Sequence, residues 1–275
     1  MTIFDSKIKP ILLKILTILG IKREKPQTKI GRIGRRCEHA VSVLVFLYIG
    51  IAFFPQPLFS HQLEHEGITL YSTKSISSEK GKVLLSEVRS KIKLSDLYNE
   101  QQEFQVFLCN SKSLYTLFSP FSRESFGQAN LFSNIIIANA NLDANIVTAF
   151  RDKHNERSFT SVITHEIGHE MIKDEFGLVS AYRAPKWLNE GYCEYISDES
   201  SFPESQGIEM ITQGKTEDSN SFKYFEYRKM VEFYLDEKGK TIKELFSSSP
   251  LESNMRDQTR QWLRRIYTDR ALLNP

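Results

Sequence analysis

Fifteen consecutive residues without a charge, AVSVLVFLYIGIAFF from Ala40 to Phe54, form the longest uncharged pattern near the start of the chain. The apolar character continues, interrupted by two prolines, as far as Phe59. About 20 helical residues are needed to cross a hydrocarbon layer ~30 Å thick. The pattern therefore predicts a transmembrane anchor helix over residues 40–59, in contact with membrane lipid. A buried core helix and the apolar part of a cleaved signal peptide are the alternatives.

The charges on the two sides of this apolar segment are unequal. Residues 22–36 hold seven Lys or Arg against one acid, whereas no Lys or Arg occurs between Ala40 and Lys74. Because basic residues accumulate on the cytoplasmic side of a span, residues 1–39 are predicted to be cytoplasmic and the main domain extracytoplasmic. No small-residue cleavage site follows the apolar run, which favours an uncleaved anchor. Residues 3–21 have an apolar stripe that suits a helix on the membrane surface or against a partner protein.

After the apolar segment, the pattern switches between the periods of strands and helices. Three segments alternate or are rich in β-branched residues and predict strands: GITLYST, EFQVFLCN and NIIIANA, at residues 67–73, 103–110 and 134–140. Two others have a helical period, SSEKGKVLLSEVRSKI at residues 77–92 and the stretch from Thr160 to Lys173. Residues 61–275 contain no internal repeat, so they are predicted to form one α+β domain.

Composition and cysteine content narrow the function classes only slightly. An apolar fraction of 40%, a charged fraction of 25% and a net charge of +2 are those of an ordinary folded protein. The basic block adjoins an apolar segment and has no interleaved aromatic residues, so no nucleic-acid partner is predicted. The three cysteines, Cys37, Cys109 and Cys193, are too few for a disulfide framework. A pairing of Cys109 with Cys193 stays open at this point.

The helix predicted from Thr160 to Lys173 contains the sequence HEIGH, in which His165 and His169 are four residues apart. Residues at this spacing are neighbours on one face of a helix, so both imidazoles can bind one ion. Zn²⁺ accepts histidine nitrogens and, in hydrolytic sites, takes three protein ligands and leaves one position for water. Glu166 projects beside the pair, where it can take a proton from that water as a general base. A third ligand must come from elsewhere in the chain.

The segment PKWLNEGYCEY, residues 185–195, offers that third ligand. Its first acid, Glu190, follows His169 by enough residues for the first helix to end and a second helix to return across it. Glu194 lies one helical turn after Glu190, where it can accept the free ring N–H of a ligand histidine. Two carboxylates at this spacing are also common on solvated helix faces, and it is their combination with HExxH that favours a metal site.

Residues 163–195 resemble the gluzincin metallopeptidases, especially the small peptidase MA-like domains in which HExxH is followed by a W-L-x-E-G-x-x-x-Y segment. The resemblance implies a zincin-like domain with a small mixed sheet. It also implies Zn²⁺ bound by His165, His169 and Glu190, with Glu166 as the general base. In that family a strand upstream of the HExxH helix forms the edge of the cleft and pairs with an extended substrate. Residues 134–140 stand in that place.

The same resemblance extends to YFEYRKMVEFYLDEKG, which begins at Tyr224. It aligns Tyr224 with a tyrosine that supports the oxyanion. Tyr227 replaces the small polar residue of the family pattern, so that role can belong to either tyrosine. His154 is a third candidate donor, although a histidine in such a polar stretch is more often an ordinary loop residue.

These expectations together predict a membrane-anchored zinc metallopeptidase that acts on a peptide or protein substrate. The rival prediction is a zincin-fold protein that has kept its zinc for structure or peptide binding, without turnover. An intact Glu166 argues against that rival, because binding alone does not need a base.

Overall fold

A computed structural model describes residues 28–122, 124–151 and 155–273. The stripe predicted in residues 3–21 and the candidate His154 lie outside the described residues. The chain divides into two compact units, one ending at Pro55 and one beginning with Gln56. The second unit is mixed α+β, and the residues predicted to form one domain, 61–275, lie within it.

The first unit contains one long helix, α1, which spans Lys29–Phe53. Thr28 caps it, because its side chain accepts a hydrogen bond of 3.1 Å from the backbone N–H of Gly31. The helix is long and apolar enough to span a membrane, a property that a signal sequence would share. Its first and last residues both come earlier in the chain than those of the span predicted over residues 40–59.

The early end of α1 has a local physical cause, a proline just after it. Pro55 has no backbone N–H to donate and its ring disfavours helical backbone in the residue before it, so the helix stops at Phe53. Residues Gln56–Leu58 then form a 3₁₀ turn. Phe59, predicted to lie in the span, is buried in the second unit with its ring 5.1 Å from that of Phe107. Residues 54–59 therefore do not continue the helix.

The second unit begins with a mixed five-stranded sheet in the order β1-β2-β3-β5-β4. The inner strands β2, β3 and β5 are parallel, whereas β1 and β4 are antiparallel edge strands. The inner strands are built mostly from buried apolar residues, as expected for strands covered on both faces. The bounds of these strands are His61–His65, Ile68–Ser72, Phe104–Leu108, Gly127–Ala129 and Asn134–Ile137 for β1 to β5.

The strand predicted over residues 134–140 is two strands in two different sheets. Its first part is β5, and after Ala138 the chain continues as β6, Asn139–Asn141. β6 pairs with β7, Ile146–Thr148, which pairs with β8, Glu156–Ser158, in a small antiparallel sheet. Because β5 is hydrogen-bonded on both sides, it cannot be the cleft edge that the sequence analysis expected. The edge strand is β4.

The helices of the second unit pack against this sheet and against one another. The helix predicted at residues 77–92 is confirmed as α2, Ser78–Ile92, and the HExxH helix is confirmed as α4, Phe159–Phe176. The remaining helices are α3 Lys112–Phe118, α5 Leu178–Arg183, α6 Lys186–Ser197, α7 Glu204–Gln213, α8 Asn220–Glu232, α9 Ile242–Ser248 and α10 Glu252–Leu273. Helix α8 continues as a short π-helix over Phe233–Glu237.

Two glycines set the distances among helices α4, α6 and α8. A Cβ on Gly168 of α4 would lie 2.9 Å from the Cys193 sulfur of α6. A Cβ on Gly191 of α6 would lie 2.6 Å from the backbone oxygen of Tyr227 of α8. Both contacts are closer than a Cβ tolerates, so glycine at each position permits the close packing. This packing brings α6, with its acidic residues, against the HExxH helix.

Candidate metal centre

The two histidines of HExxH lie together on the face of α4 that meets α6. Their ring centroids are 5.0 Å apart and the rings are nearly perpendicular. Glu190 enters from α6, with its Oε2 3.3 Å from Nε2 of His165 and 3.7 Å from Nε2 of His169. The structure thus brings together all three side chains that the sequence analysis predicted as ligands.

The Nδ1 atom of each histidine faces a polar side chain of α6. Oε1 of Glu194 lies 3.2 Å from Nδ1 of His165, the position predicted for a carboxylate that orients the ring. On the other ring, Nδ1 of His169 lies 2.9 Å from Oδ1 of Asn189. The Asn189 amide is itself fixed, because its Nδ2 donates to the backbone oxygen of Ala181. Both Nε2 atoms are therefore directed toward Glu190.

Cys193 forms a second group with the same two histidines. Candidate ligand atoms of His165, His169 and Cys193 all lie within 4.8 Å of one another. The thiol sulfur is 3.3 Å from Nδ1 of His169, which is also the nitrogen that Asn189 contacts. Cys193 is fully buried, and burial raises the pKa of its thiol well above the ordinary value. The sulfur contacts Nδ1 of one ring only, whereas Glu190 faces Nε2 of both rings, so the Nε2 side with Glu190 is the better metal position.

The charges around the histidines favour a bound cation. Burial lowers the pKa of His165, but the nearby carboxylates of Glu190 and Glu194 and the charge of Glu166 outweigh it and raise that pKa to about 10. Burial raises the pKa of Glu190, but His165, His169 and Lys186 together lower it to about 2. A buried cluster with three carboxylates around two imidazoles gains by binding positive charge. Two nitrogens and one carboxylate oxygen are the donors that Zn²⁺ takes in hydrolytic sites.

Glu166 lies between the histidine pair and the edge strand β4. Its Oε2 accepts a hydrogen bond of 2.8 Å from the backbone N–H of Ala129. Backbone groups of an antiparallel strand alternate between its two edges, so Gly127 and Ala129 direct theirs away from β5 and toward the cleft. A Cβ on Gly127 would lie 3.1 Å from both Cγ and Oε1 of Glu166. The glycine therefore leaves room for the Glu166 carboxylate.

Of the two tyrosines that are candidate hydrogen-bond donors, Tyr224 lines the cleft. Burial, followed by the charges of Glu190, Glu194 and Glu166, raises the pKa of its hydroxyl, so the hydroxyl keeps its proton. The Nζ of Lys186 lies 5.0 Å from the ring centroid. Tyr227 does not line the cleft, and the charged groups that act on it most, Glu252 and Arg256, lie on α10.

The cleft that contains these residues has a volume of about 890 Å³. Its polar floor is formed by the two histidines, Glu166 and Glu190, and the segment from Phe126 to Leu131 forms one wall. Large exposed apolar side chains lie along its rim, namely those of Phe121, Leu131, Leu178 and Tyr182. A cleft of this volume, with apolar side chains and a few polar groups at its base, has the character of a ligand-binding site.

Sequence reasoning missed two polar residues of the site, Asn189 and Arg157. Asn189 directly precedes Glu190 on the same helix. Its place beside a predicted ligand was the signal from which it could have been found. Arg157 precedes α4 in the chain and donates to both carboxylate oxygens of Glu194, over 2.9 and 3.3 Å. Its sequence surroundings carry no sign of that contact. Cys109 and Cys193, whose pairing was left open, are both buried and free.

No protein-family model matches the chain, and a search of curated proteins finds no significant match. The function must therefore be inferred from the geometry and chemistry of the site.

Proposed function

We propose that the chain is a membrane-anchored zinc metallopeptidase of the gluzincin type. The observation that supports this most directly is the convergence of both Nε2 atoms of HExxH on one carboxylate oxygen of Glu190. Three side chains from two helices meet there with nitrogen and oxygen donors, beside a further carboxylate, Glu166, and an open cleft. In this proposal His165, His169 and Glu190 would bind Zn²⁺.

Zn²⁺ bound by these residues would polarise the scissile carbonyl and make water more acidic. Glu166 takes a proton from the attacking water and passes it to the leaving amine as the peptide bond breaks. Tyr224 keeps its hydroxyl proton and donates a hydrogen bond to the carbonyl oxygen as charge develops there. Glu194 and Asn189 hold the two imidazoles in place through their Nδ1 atoms.

The substrate would lie along β4, and not along residues 134–140 as the sequence analysis expected. Gly127 and Ala129 direct backbone groups away from β5 and toward the cleft, so an extended peptide can add there as another strand once the Ala129 N–H releases Glu166. Strand addition binds main-chain groups and therefore accepts many sequences. The exposed apolar rim would then supply the preference for particular side chains.

Helix α1 supports attachment to a membrane in this proposal. Basic residues in its first turns and their absence from the residues that follow favour a cytoplasmic N-terminus and an extracytoplasmic catalytic unit. Protease digestion of intact cells tests this orientation. The proposal expects fragments of the catalytic unit without permeabilisation, and protection of the unit in intact cells would contradict it.

A second candidate function is a zincin-fold protein that binds peptides without hydrolysing them. The contact that favours it is the hydrogen bond from Ala129 to Glu166, which must break before Glu166 can act on water. Against it stands the wall beside Oε1 of Glu166, where residue 127 is a glycine and no side chain fills the space next to the carboxylate.

Metal analysis and a cleavage screen of the full-length chain in detergent test the proposal. We expect one Zn²⁺ per chain in the wild type and in Glu166→Gln, and cleavage of unfolded protein or short peptides by the wild type alone. The conservative change removes the base and leaves the ligands intact. Zinc binding without cleavage by the wild type would support the binding function, and absence of zinc binding would exclude both.

A further inference from the structure

Arg157 is a buried arginine on β8, two residues before the HExxH helix begins. Its Nη1 donates to Oε1 of Glu194 over 2.9 Å, and its Nη2 donates to Oε2 of Glu194 over 3.3 Å. The Nη2 atom also lies 3.5 Å from the backbone oxygen of Glu199. A guanidinium that binds both oxygens of a carboxylate fixes the plane of that carboxylate as well as its position.

The carboxylate that Arg157 fixes is the one that contacts a predicted metal ligand. Oε1 of Glu194, which receives Nη1 of Arg157, also lies 3.2 Å from Nδ1 of His165. The other nitrogen of that ring, Nε2, faces Glu190 at 3.3 Å. A continuous set of polar contacts thus runs from Arg157 through Glu194 to His165.

Once a metal is bound, the buried negative charge of Glu194 needs Arg157 as its partner. Glu194 is almost fully buried, so its charge needs a partner. A histidine that binds a metal is neutral and offers only its Nδ1–H. In the part of the chain that the structure describes, Arg157 is then the one permanently charged group in contact with the Glu194 carboxylate.

Backbone contacts make the position of Arg157 firm. The N–H of Ser158 donates to Oε1 of Glu199, and the hydroxyl of Ser161 donates to the backbone oxygen of Ser197. These contacts join the start of α4 to the end of α6, the two helices that carry the predicted ligands. The backbone beside Arg157 is therefore fixed relative to the end of α6, the helix that carries Glu194.

We propose that Arg157 is a positioning residue of the metal centre. It fixes the Glu194 carboxylate, which in turn keeps the His165 ring oriented with Nε2 toward Glu190. The inference rests on the proposed function, because it assigns Arg157 a role in a zinc site. It adds a residue, outside the HExxH and Glu190 segments, on which zinc affinity depends.

The matched variants are Arg157→Met and Arg228→Met in the full-length chain. Arg228 on α8 also pairs with an acid near the end of α6, since its Nη2 lies 2.7 Å from Oδ1 of Asp198, but that acid does not contact a histidine. Zinc affinity is measured by competition with a chelator, and the His165 Nδ1 proton is followed by ¹⁵N-edited NMR. Melting temperature serves as the measure of general damage.

We expect Arg157→Met to weaken zinc binding about tenfold, in the range found for residues behind metal ligands. The His165 Nδ1 proton signal should broaden or disappear. Arg228→Met should keep zinc affinity within about twofold and leave the signal unchanged. In a Glu194→Gln background, Arg157→Met should weaken zinc binding no further, because the effect passes through Glu194.

Three results would overturn the assignment. The first is equal zinc affinity of Arg157→Met and Arg228→Met while the wild type binds zinc, which leaves the proposed function intact. The second is additive losses from Arg157→Met and Glu194→Gln. The third is a wild type that binds no zinc, which overturns the proposed function as well. If Arg157→Met does not fold, Arg157→Lys is compared instead, and zinc affinity within twofold of the wild type counts against the inference.

Discussion

Oε2 of Glu166 accepts a hydrogen bond from the backbone N–H of Ala129 across 2.8 Å. The contact joins the proposed base to the edge strand along which a substrate would bind. Two residues earlier, Gly127 leaves the space in which the carboxylate lies, since a Cβ there would be 3.1 Å from Cγ and Oε1 of Glu166 and 3.0 Å from Cδ1 of Ile137. The position of the base thus depends on the absence of a side chain at residue 127.

Gly127→Ala is expected to lower kcat on the order of tenfold, because the added methyl displaces the Glu166 carboxylate by a few tenths of an ångström. Zinc content should be unchanged, since Gly127 contacts none of the predicted ligands. Steady-state kinetics on a cleaved peptide and metal analysis measure the two quantities. Unchanged kcat in Gly127→Ala would show that the carboxylate does not need its present position.

Glu190 and Cys193 are the two candidates for the third metal ligand, and each predicts a different effect of substitution on zinc binding. Glu190 faces Nε2 of both histidines, whereas the Cys193 sulfur contacts Nδ1 of His169. We therefore expect Glu190→Ala to lose zinc binding and Cys193→Ser to retain it. In a Co²⁺-substituted wild type, the intense near-ultraviolet band of a thiolate bound to the metal should be absent. That band, or zinc loss in Cys193→Ser alone, would instead assign the ligand role to the cysteine.

Tyr224 and Tyr227 form a matched pair on one helix. Tyr224 lines the cleft, and its hydroxyl is placed among the charges of the site, whereas Tyr227 does not line the cleft. Removing one oxyanion donor costs about a hundredfold in kcat in well-studied hydrolases. We expect a loss of that order in Tyr224→Phe, with KM and zinc content little changed, and no loss in Tyr227→Phe. A larger loss in Tyr227→Phe would reverse the assignment.

The sequence predicted those parts of the site that depend on local spacing. His165, Glu166 and His169 are fixed relative to one another by a single helix, and Glu190 and Glu194 by the next one. Two helices that return across each other then need only to pack closely to bring the groups together. The spacing of these five residues along the sequence was therefore enough to predict both helices and the carboxylate beside His165.

Other parts of the site depend on contacts that no local pattern records. The edge strand β4 is only three residues long, GQA, and it is a strand because it pairs with β5. Arg157 is buried because of Glu194, a residue 37 positions later. Phe59, which was predicted to lie in the membrane span, is buried where its ring packs on Phe107 far along the chain. Long-range pairing and burial decided each of these.

Gly191 and Gly168 predict a graded effect on stability. A Cβ on Gly191 meets the backbone oxygen of Tyr227 at 2.6 Å, and a backbone cannot move without shifting a whole helix. A Cβ on Gly168 meets side-chain atoms of Cys193 and Ile196 at 2.9 Å, and side chains adjust more easily. We expect Gly191→Ala to cost about 3 kcal/mol of unfolding free energy and Gly168→Ala about 1 kcal/mol. Denaturant unfolding compares them, and the reverse order would contradict this reading of helix packing.

The apolar rim of the cleft predicts which peptides the protein prefers. Leu131 and Tyr182 are exposed yet line the cleft, where an extended substrate would cover them. We expect Leu131→Ser and Tyr182→Ser to raise KM several-fold for peptides with large apolar side chains, and to change it little for polar peptides. Val83→Ser is the matched control, because Val83 is 68% exposed, close to the 66% of Leu131, but lies on α2 away from the cleft.

The preference is measured on paired peptides that differ only in apolar content. Equal effects of the rim and control variants would mean that the rim does not contact the substrate.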